Sequence, residues 1–304
     1  MQWKGHMTGL VFSVVFVGSC FTNKFVLSVL KFTFPTLFQG WQTLVGAVLL
    51  LLSGRLGWVE MSRISRSAVF SWLPGSLLFL GSIYAGSRAL SRMAVPYFFT
   101  VQNASHVVSY LLLRVLHREV GAGRGCPRDR THSATLIMCI MFFSAINLPI
   151  HNPGFDLNTY GWAVCHLACV GKYRQLASFW LLKGAFDQQY INYMFSICLL
   201  ALAAHPTGDL FAAWEFPLLA SYTFHWGCCA SALLGFLLLL ATVKLKSGLS
   251  LEGSRTWTFL SKLAAVTLSP LAFALDPNIP SFACVFFSLV GEALFVYSDM
   301  DTKA

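Results

Sequence analysis

The stretch TGLVFSVVFVGSCFTNKFVLSVL, residues 8–30, decides how this chain is read: it is apolar over the width of a membrane yet carries Asn23 and Lys24 inside it. A hydrocarbon core needs about 20 apolar residues in helical form, and a lysine at its centre costs about 2.5–3.5 kcal/mol on insertion scales. Such a residue persists where it faces water, a partner or a ligand, unless its flexible stem carries the ammonium to an interface. Lys24 lies toward the C-terminal end of the segment, so both readings stand.

Composition extends the reading to the whole chain. Of 304 residues 56% are hydrophobic and 11% charged, far from the roughly 25% charged of an ordinary soluble domain. The formal net charge of +9 does not point to nucleic acid, because the basic residues fall mostly in alternate loops, which is a membrane-topology pattern. Cys126 sits in a polar loop, whereas the other cysteines lie in apolar runs and read as packing residues. His117, Cys126 and His132 share that loop without a zinc spacing. The sequon Asn103-Ala104-Ser105 falls inside an expected span. The many later spans favour an uncleaved first helix over a signal peptide.

Apolar runs place about ten spans, near residues 8–30, 35–53, 69–90, 95–116, 134–150, 159–182, 188–204, 219–243, 257–275 and 280–298. The loops test that count. One side receives Lys4, Arg55, Arg63, Arg66, Arg118, Arg124, Arg128, Arg130, Lys183, Lys244, Lys246, Arg255 and Lys303; the other has Lys31 and Arg92, with Asp156, Asp209, Glu215 and Asp276. By the positive-inside rule both termini are cytosolic. The expected fold is an all-α polytopic membrane protein, one transmembrane domain over residues 1–304. Its halves, about 1–152 and 153–304, form two inverted five-helix repeats, since an odd number of spans per half turns the second upside down.

The charges inside the spans are mainly cationic: Lys24, Arg88, Lys172, Arg174 and Lys262, with Glu292 the acidic exception. A cavity so lined suits an anionic solute, phosphate above all, since lysine supplies a point charge and arginine a bidentate fork. Lys172 and Arg174 stand about 200° apart on a helix, so they cannot both point at one ligand; Lys172 is favoured for the cavity, and Arg174 equally as a helix-contact or an interface residue. Glu292 either neutralises a cation or binds part of the solute. Polar stripes at three-and-four spacing run through Gln39, Gln42, Thr43 and Gly46, and through Thr100, Asn103, Val107 and Tyr110. They mark faces turned from lipid. Tyr190, Asn192, Tyr193 and Ser196 offer a surface for stacking a base and reading its edge.

The run Thr22-Asn23-Lys24-Phe25-Val26-Leu27-Ser28, followed by Lys31-Phe32-Thr33-Phe34-Pro35 and Gln39, resembles the opening of nucleotide-sugar transporters of the drug/metabolite transporter superfamily. Val95 to Asn103 resembles the start of their fourth helix, Tyr160-Gly161-Trp162 with Lys172-Tyr173 and Lys183 their sixth, and Gly291 to Ser298 their last. Two motifs of the GDP-mannose branch are altered. Phe-Tyr-Asn-Asn is reduced to Gln189-Tyr190-Ile191-Asn192-Tyr193, and Gly-Ala-Leu-Asn-Lys to Thr258-Phe259-Leu260-Ser261-Lys262. The resemblance assigns Lys262 to phosphate and Tyr190 and Asn192 to the nucleotide. The missing asparagine weakens a guanine-specific reading.

The resemblance implies a secondary transporter, not an enzyme, moving a cytosolic UDP-sugar such as UDP-N-acetylglucosamine into the Golgi lumen in exchange for a nucleoside monophosphate. A GDP-mannose carrier is the runner-up, and the endoplasmic reticulum the alternative membrane. The bilayer is the other partner, no cofactor is called for, and a homodimer is compatible with this plan. A lipid-linked transferase or a non-transporting membrane partner are the rival classes. The expected substrate site comprises Asn23, Lys24, Gln42, Asn103, Lys172, Tyr190, Asn192, Lys262 and Glu292.

Overall fold

A computed structural model describes residues 2–62, 64–119, 128–152, 154–179, 184–273 and 278–301. Arg63, Arg124, Cys126, Lys183, Asp276 and Lys303 lie outside the described residues, as do the side chains of Lys4, His117, Arg118, Arg128, Arg130 and His132. Among the described residues every regular element is helical. In chain order these are α1 (Gln2–Lys24), α2 (Pro35–Arg55), α3 (Arg66–Arg92), α4 (Val95–Asn103), α5 (Ser105–Glu119) and α6 (Arg128–His151). The second half contributes α7 (Leu157–Phe179), α8 (Ala185–Ala204), α9 (Asp209–Trp214), α10 (Tyr222–Gly248), α11 (Leu251–Ala272) and α12 (Ile279–Asp301).

Each expected span coincides with a helix, the fourth being α4 and α5 broken at Ala104. Among the described residues, six stretches are long and apolar enough to cross a membrane by length and composition: Gly5–Val29, Pro35–Arg55, Arg66–Arg92, Ala134–His151, Tyr222–Gly248 and Ile279–Ser298. The chain is therefore a polytopic membrane protein. Large apolar side chains such as Val14, Phe70, Phe143, Leu271 and Phe286 stand exposed on the outer faces of these helices, where water would penalise them and acyl chains would not.

Local signals set the helix boundaries. Pro35 opens α2 and Pro96 the first turn of α4, where a missing N–H costs nothing. Ser65 and Ser250 cap α3 and α11 by accepting from the N–H groups of Ala68 and Gly253. Directly after Lys24, α1 widens into a π-helical turn, Phe25–Val29, and the chain then breaks at Lys31, whose φ of 57° lies in the left-handed region. Single π turns of this kind concentrate at functional positions.

Helix pairing builds the core. α3 packs along α7 and α1 along α10; α2 lies on α8 and α6 on α12; α1 also meets α11, α10 meets α2, α8 meets α3, and α5 meets α7. Val26, Leu27, Phe38, Ala89, Val95, Leu148 and Ala265, all essentially inaccessible, belong to the central apolar cluster these pairings bury.

Candidate transport cavity

Between α1, α2, α3, α4, α7, α8 and α10 lies a cavity of about 450 Å³, within the 300–1,000 Å³ usual for small-molecule sites. Its wall is amide and aromatic. Asn23, Gln39, Gln42, Gln102 and Gln189 face it with Phe16, Phe79, Phe98, Phe99 and Tyr193, and His166 stands in the same wall. It runs from Gln189 and Thr242, close to the basic loops, to Asn23 and Leu90, nearer the opposite end.

Two expected residues meet here. Gln42 donates to Asn23 Oδ1 at 2.9 Å and also to Ser231 Oγ, while Ser231 donates to Asn23 Oδ1, so one triangle ties α1, α2 and α10 along the cavity wall. Asn23 accepts twice through its carbonyl, which leaves its NH2 as the group able to meet a solute. Gln39 is held by Ser87 on α3. Tyr193 owes its place to Gly46 on α2: a Cβ there would come within 2.9 Å of the ring.

The expected positively charged lining is not found in this larger cavity. None of the described residues lining this cavity is lysine, arginine, aspartate or glutamate. The reason is the cost of an unpaired charge in a low-dielectric interior: the deeply buried cations have each found partners elsewhere. Lys262 on α11, 5% exposed, pairs with Glu292 on α12 and donates to Asn103 Oδ1 at 2.9 Å; Asn103 donates in turn to Ser288 at 3.2 Å. Lys262, Glu292 and Asn103 thus form one network beside the cavity. Ser13 touches Ser261, next to Lys262, and Phe16 lies one turn along α1; Asn103 touches Lys262, and Phe99 lies one turn back along α4. The Phe16–Phe99 stack, centroids 5.9 Å apart, lines the cavity one turn along the same two helices.

Lys24 points away from the larger cavity. Its ammonium donates to the carbonyls of Leu90 at 2.8 Å and Met93 at 3.0 Å, tying α1 to the last turn of α3, where the helix dipole and orphan carbonyls favour a cation. It lines a second cavity of about 370 Å³ with Ser28, Arg92 and Ser269. Leu90 lines the first cavity while its carbonyl holds Lys24, which lines the second, so this contact borders both spaces.

The remaining expected residues fall elsewhere. Lys172 is exposed on α7 and does not line the cavity, and its neighbour Arg174 makes the helix contact, donating to Ser105 Oγ at 3.1 Å with His106 beside it. Asn192 is fully buried: it accepts from Trp72 Nε1 at 2.9 Å and Ser76 Oγ at 3.0 Å and donates to Tyr173 at 3.0 Å, knotting α3, α7 and α8 together. Tyr190 packs with the Leu50, Val59 and Phe236 cluster. Gln189 and Tyr193, one helical turn apart, are the α8 residues turned to the cavity. That i, i+4 pair was visible in the sequence; His166, a lone histidine in an apolar run, gave no periodic signal.

Outside the spans, Asp156 caps α7, accepting from the Thr159 hydroxyl at 2.6 Å and from the N–H groups of Asn158 and Thr159, both at 3.2 Å, with Arg92 at 3.4 Å. These donors, the Thr159 hydroxyl foremost, hold its carboxyl below the ordinary aspartate value.

Known proteins agree with this architecture. No family model matches the chain. A Xenopus laevis protein named UDP-N-acetylglucosamine transporter TMEM241 homolog is 50% identical over 302 residues, covering 98% of this chain and 99% of its own. The UDP-N-acetylglucosamine transporter TMEM241 of Mus musculus is 43% identical, with 98% of both chains covered. The GDP-mannose transporter of Malassezia globosa is 27% identical over 33% of this chain and 20% of its own. A solved structure described as "Crystal structure of protein" shares the fold, with a TM-score of 0.56 and 12% identity over 99% of both chains. The chain belongs to the TMEM241 branch of the nucleotide-sugar transporter family.

Proposed function

We propose that the protein carries a UDP-sugar, UDP-N-acetylglucosamine first among them, from the cytosol into the Golgi lumen in exchange for a nucleoside monophosphate. The observation that carries this reading is the uncharged, amide- and aromatic-lined cavity of about 450 Å³ in a chain half identical, end to end, to a protein named for that substrate. Aromatic faces stack a base and amides read its edge and the sugar hydroxyls. The substrate's negative charge is met from behind the wall by Lys24, which adjoins Asn23 in the chain.

Alternating access rests on two inverted five-helix repeats, which the helix pairing supports. Exchanging α1 with α7, α2 with α8, α3 with α10, the α4–α5 span with α11 and α6 with α12 turns the α3–α7 contact into α10–α1. It turns α2–α10 into α8–α3 and α1–α11 into α7–α5, and maps α2–α8 and α6–α12 onto themselves. A cytosol-facing state is supported by the reach of the cavity to Thr242, two residues from Lys244 near the basic end, and by the Lys24 contact toward the other end. Rocking of the repeats breaks that contact and opens the second cavity.

The test is uptake of labelled sugar nucleotides into proteoliposomes holding the full chain and preloaded with UMP or GMP. UMP-driven, saturable uptake of UDP-N-acetylglucosamine is expected. Uptake no higher than in protein-free vesicles for every sugar nucleotide overturns the reading, and GMP-driven uptake of GDP-mannose alone favours the runner-up, for which the partial match to a GDP-mannose transporter speaks.

A further inference from the structure

Two polar atoms in the cavity wall lack partners, and they are of one kind. His166 on α7 is 9% exposed, and its Nδ1 stands 2.7 Å from the Ser82 carbonyl. A ring nitrogen facing a carbonyl carries the proton, so in the neutral imidazole Nε2 is left as a bare acceptor. That Nε2 is buried without a hydrogen-bond partner among the described residues, and so is Oε1 of Gln102 on α4. Both residues line the cavity.

Phe98 relates the two residues: its ring lies 5.1 Å from the His166 ring, and Gln102 follows it by one helical turn on α4. Gly86 on α3 makes room for the imidazole: a Cβ there would meet Nδ1 at 2.8 Å. An orphaned buried acceptor costs free energy that a donor on a ligand removes, and two such atoms in one wall mark a built subsite.

Resting on the cavity as the transport site, we infer that His166 Nε2 and Gln102 Oε1 form an acceptor pair that selects the sugar, taking the amide N–H of a 2-acetamido group and an adjacent hydroxyl. Uracil is a poor occupant, since its imide edge presents one N–H between two carbonyl oxygens, which face the pair acceptor to acceptor. A 2-acetamido sugar supplies N–H and O–H donors side by side, and its methyl group lies against Phe98. A site built to bond a substrate N–H discriminates strongly against an analogue that lacks it, because its own acceptors are then stranded.

The experiment measures competition against UMP-driven UDP-N-acetylglucosamine exchange by unlabelled UDP-N-acetylglucosamine, UDP-glucose and UMP. It uses the full chain in proteoliposomes, as wild type, His166→Phe and Gln102→Leu. Wild type is expected to prefer the acetamido sugar by about tenfold or more; each variant brings the two sugars within about threefold while half-inhibition by UMP moves less than about twofold. A thermal shift on adding UMP shows that each variant is folded. Retained sugar preference in both variants overturns the inference alone, as does loss of UMP recognition, which places the pair at the base. Wild type that exchanges no sugar nucleotide overturns the transport reading and this inference with it.

Discussion

Lys24 and Lys262 are both nearly inaccessible lysines inside apolar helices, 6% and 5% exposed, and the fold neutralises them differently. Lys262 meets a carboxylate and an amide, Glu292 and Asn103, in a closed network. Lys24 meets two backbone carbonyls at the end of α3 and lines a cavity with Arg92. The first arrangement is a paired charge that removal of either partner unbalances. The second joins two helices through carbonyls alone and borders both spaces, able to break without stranding an opposite charge. The difference separates a fixed strut from a latch, though the two side chains are chemically the same.

Substitutions sharpen that contrast. The largest effect is expected for Lys262→Ala or Glu292→Ala, which leave one buried charge alone and lower stability in detergent by about 3–5 kcal/mol. Joining Lys262→Met to Glu292→Leu recovers most of it, and single variants that melt like wild type would show the pair to be no strut. Asn192→Ala strands the Trp72 indole N–H and the Ser76 and Tyr173 hydroxyls, at about 1–3 kcal/mol for the worst placed of them. The KM for exchange should hardly move, because the residue lies behind the wall. A large rise in KM at full stability would return Asn192 to the substrate.

Lys24→Met is expected to cost less, about 1–2 kcal/mol, since helix-end carbonyls find other donors. Its signature is access: a cysteine placed at Ser269 should react faster with an impermeant thiol reagent from the side opposite the basic loops than in the wild-type background, and an unchanged rate would deny the latch. Asp156→Asn is the smallest. The depressed carboxyl contributes stability above the ordinary aspartate value, near pH 3.9, and loses it as pH falls through its lower folded value. Thermal melts from pH 6 to pH 2 should show a shallower acid decline in the variant than in wild type.

Much of this was legible before any coordinates. Apolar runs of membrane length set the helices, and of the Gln39, Gln42, Thr43 and Gly46 stripe, read as a face turned from lipid, the first three line the cavity, because a 3.6-residue period translates directly into a face. The alternation of basic loops prepared the reading of which end is which. Helix phase was harder: on α8 the aromatic and amide residues at 189, 190, 192 and 193 occupy every side, and only packing of Tyr193 against Gly46 decides which pair looks inward. Spacing put Lys172 and Arg174 on opposite faces without saying which face was buried. Charge within a span marked need for a partner, and the partners were carboxylate, amide and carbonyl from helices distant in sequence, which one-dimensional reading does not bring together.

The central claim is that the amide- and aromatic-walled cavity is where the sugar nucleotide sits. Gly235 on α10 lines it, and a Cβ there meets no atom within 4 Å, so Gly235→Trp fills the space without forcing the backbone; Gly161 on α7 is equally open but outside the cavity. The measurement is the thermal shift of the purified full chain on adding UDP-N-acetylglucosamine. Wild type and Gly161→Trp should be stabilised alike and Gly235→Trp not at all at the same starting stability; an undiminished shift in Gly235→Trp would contradict the account.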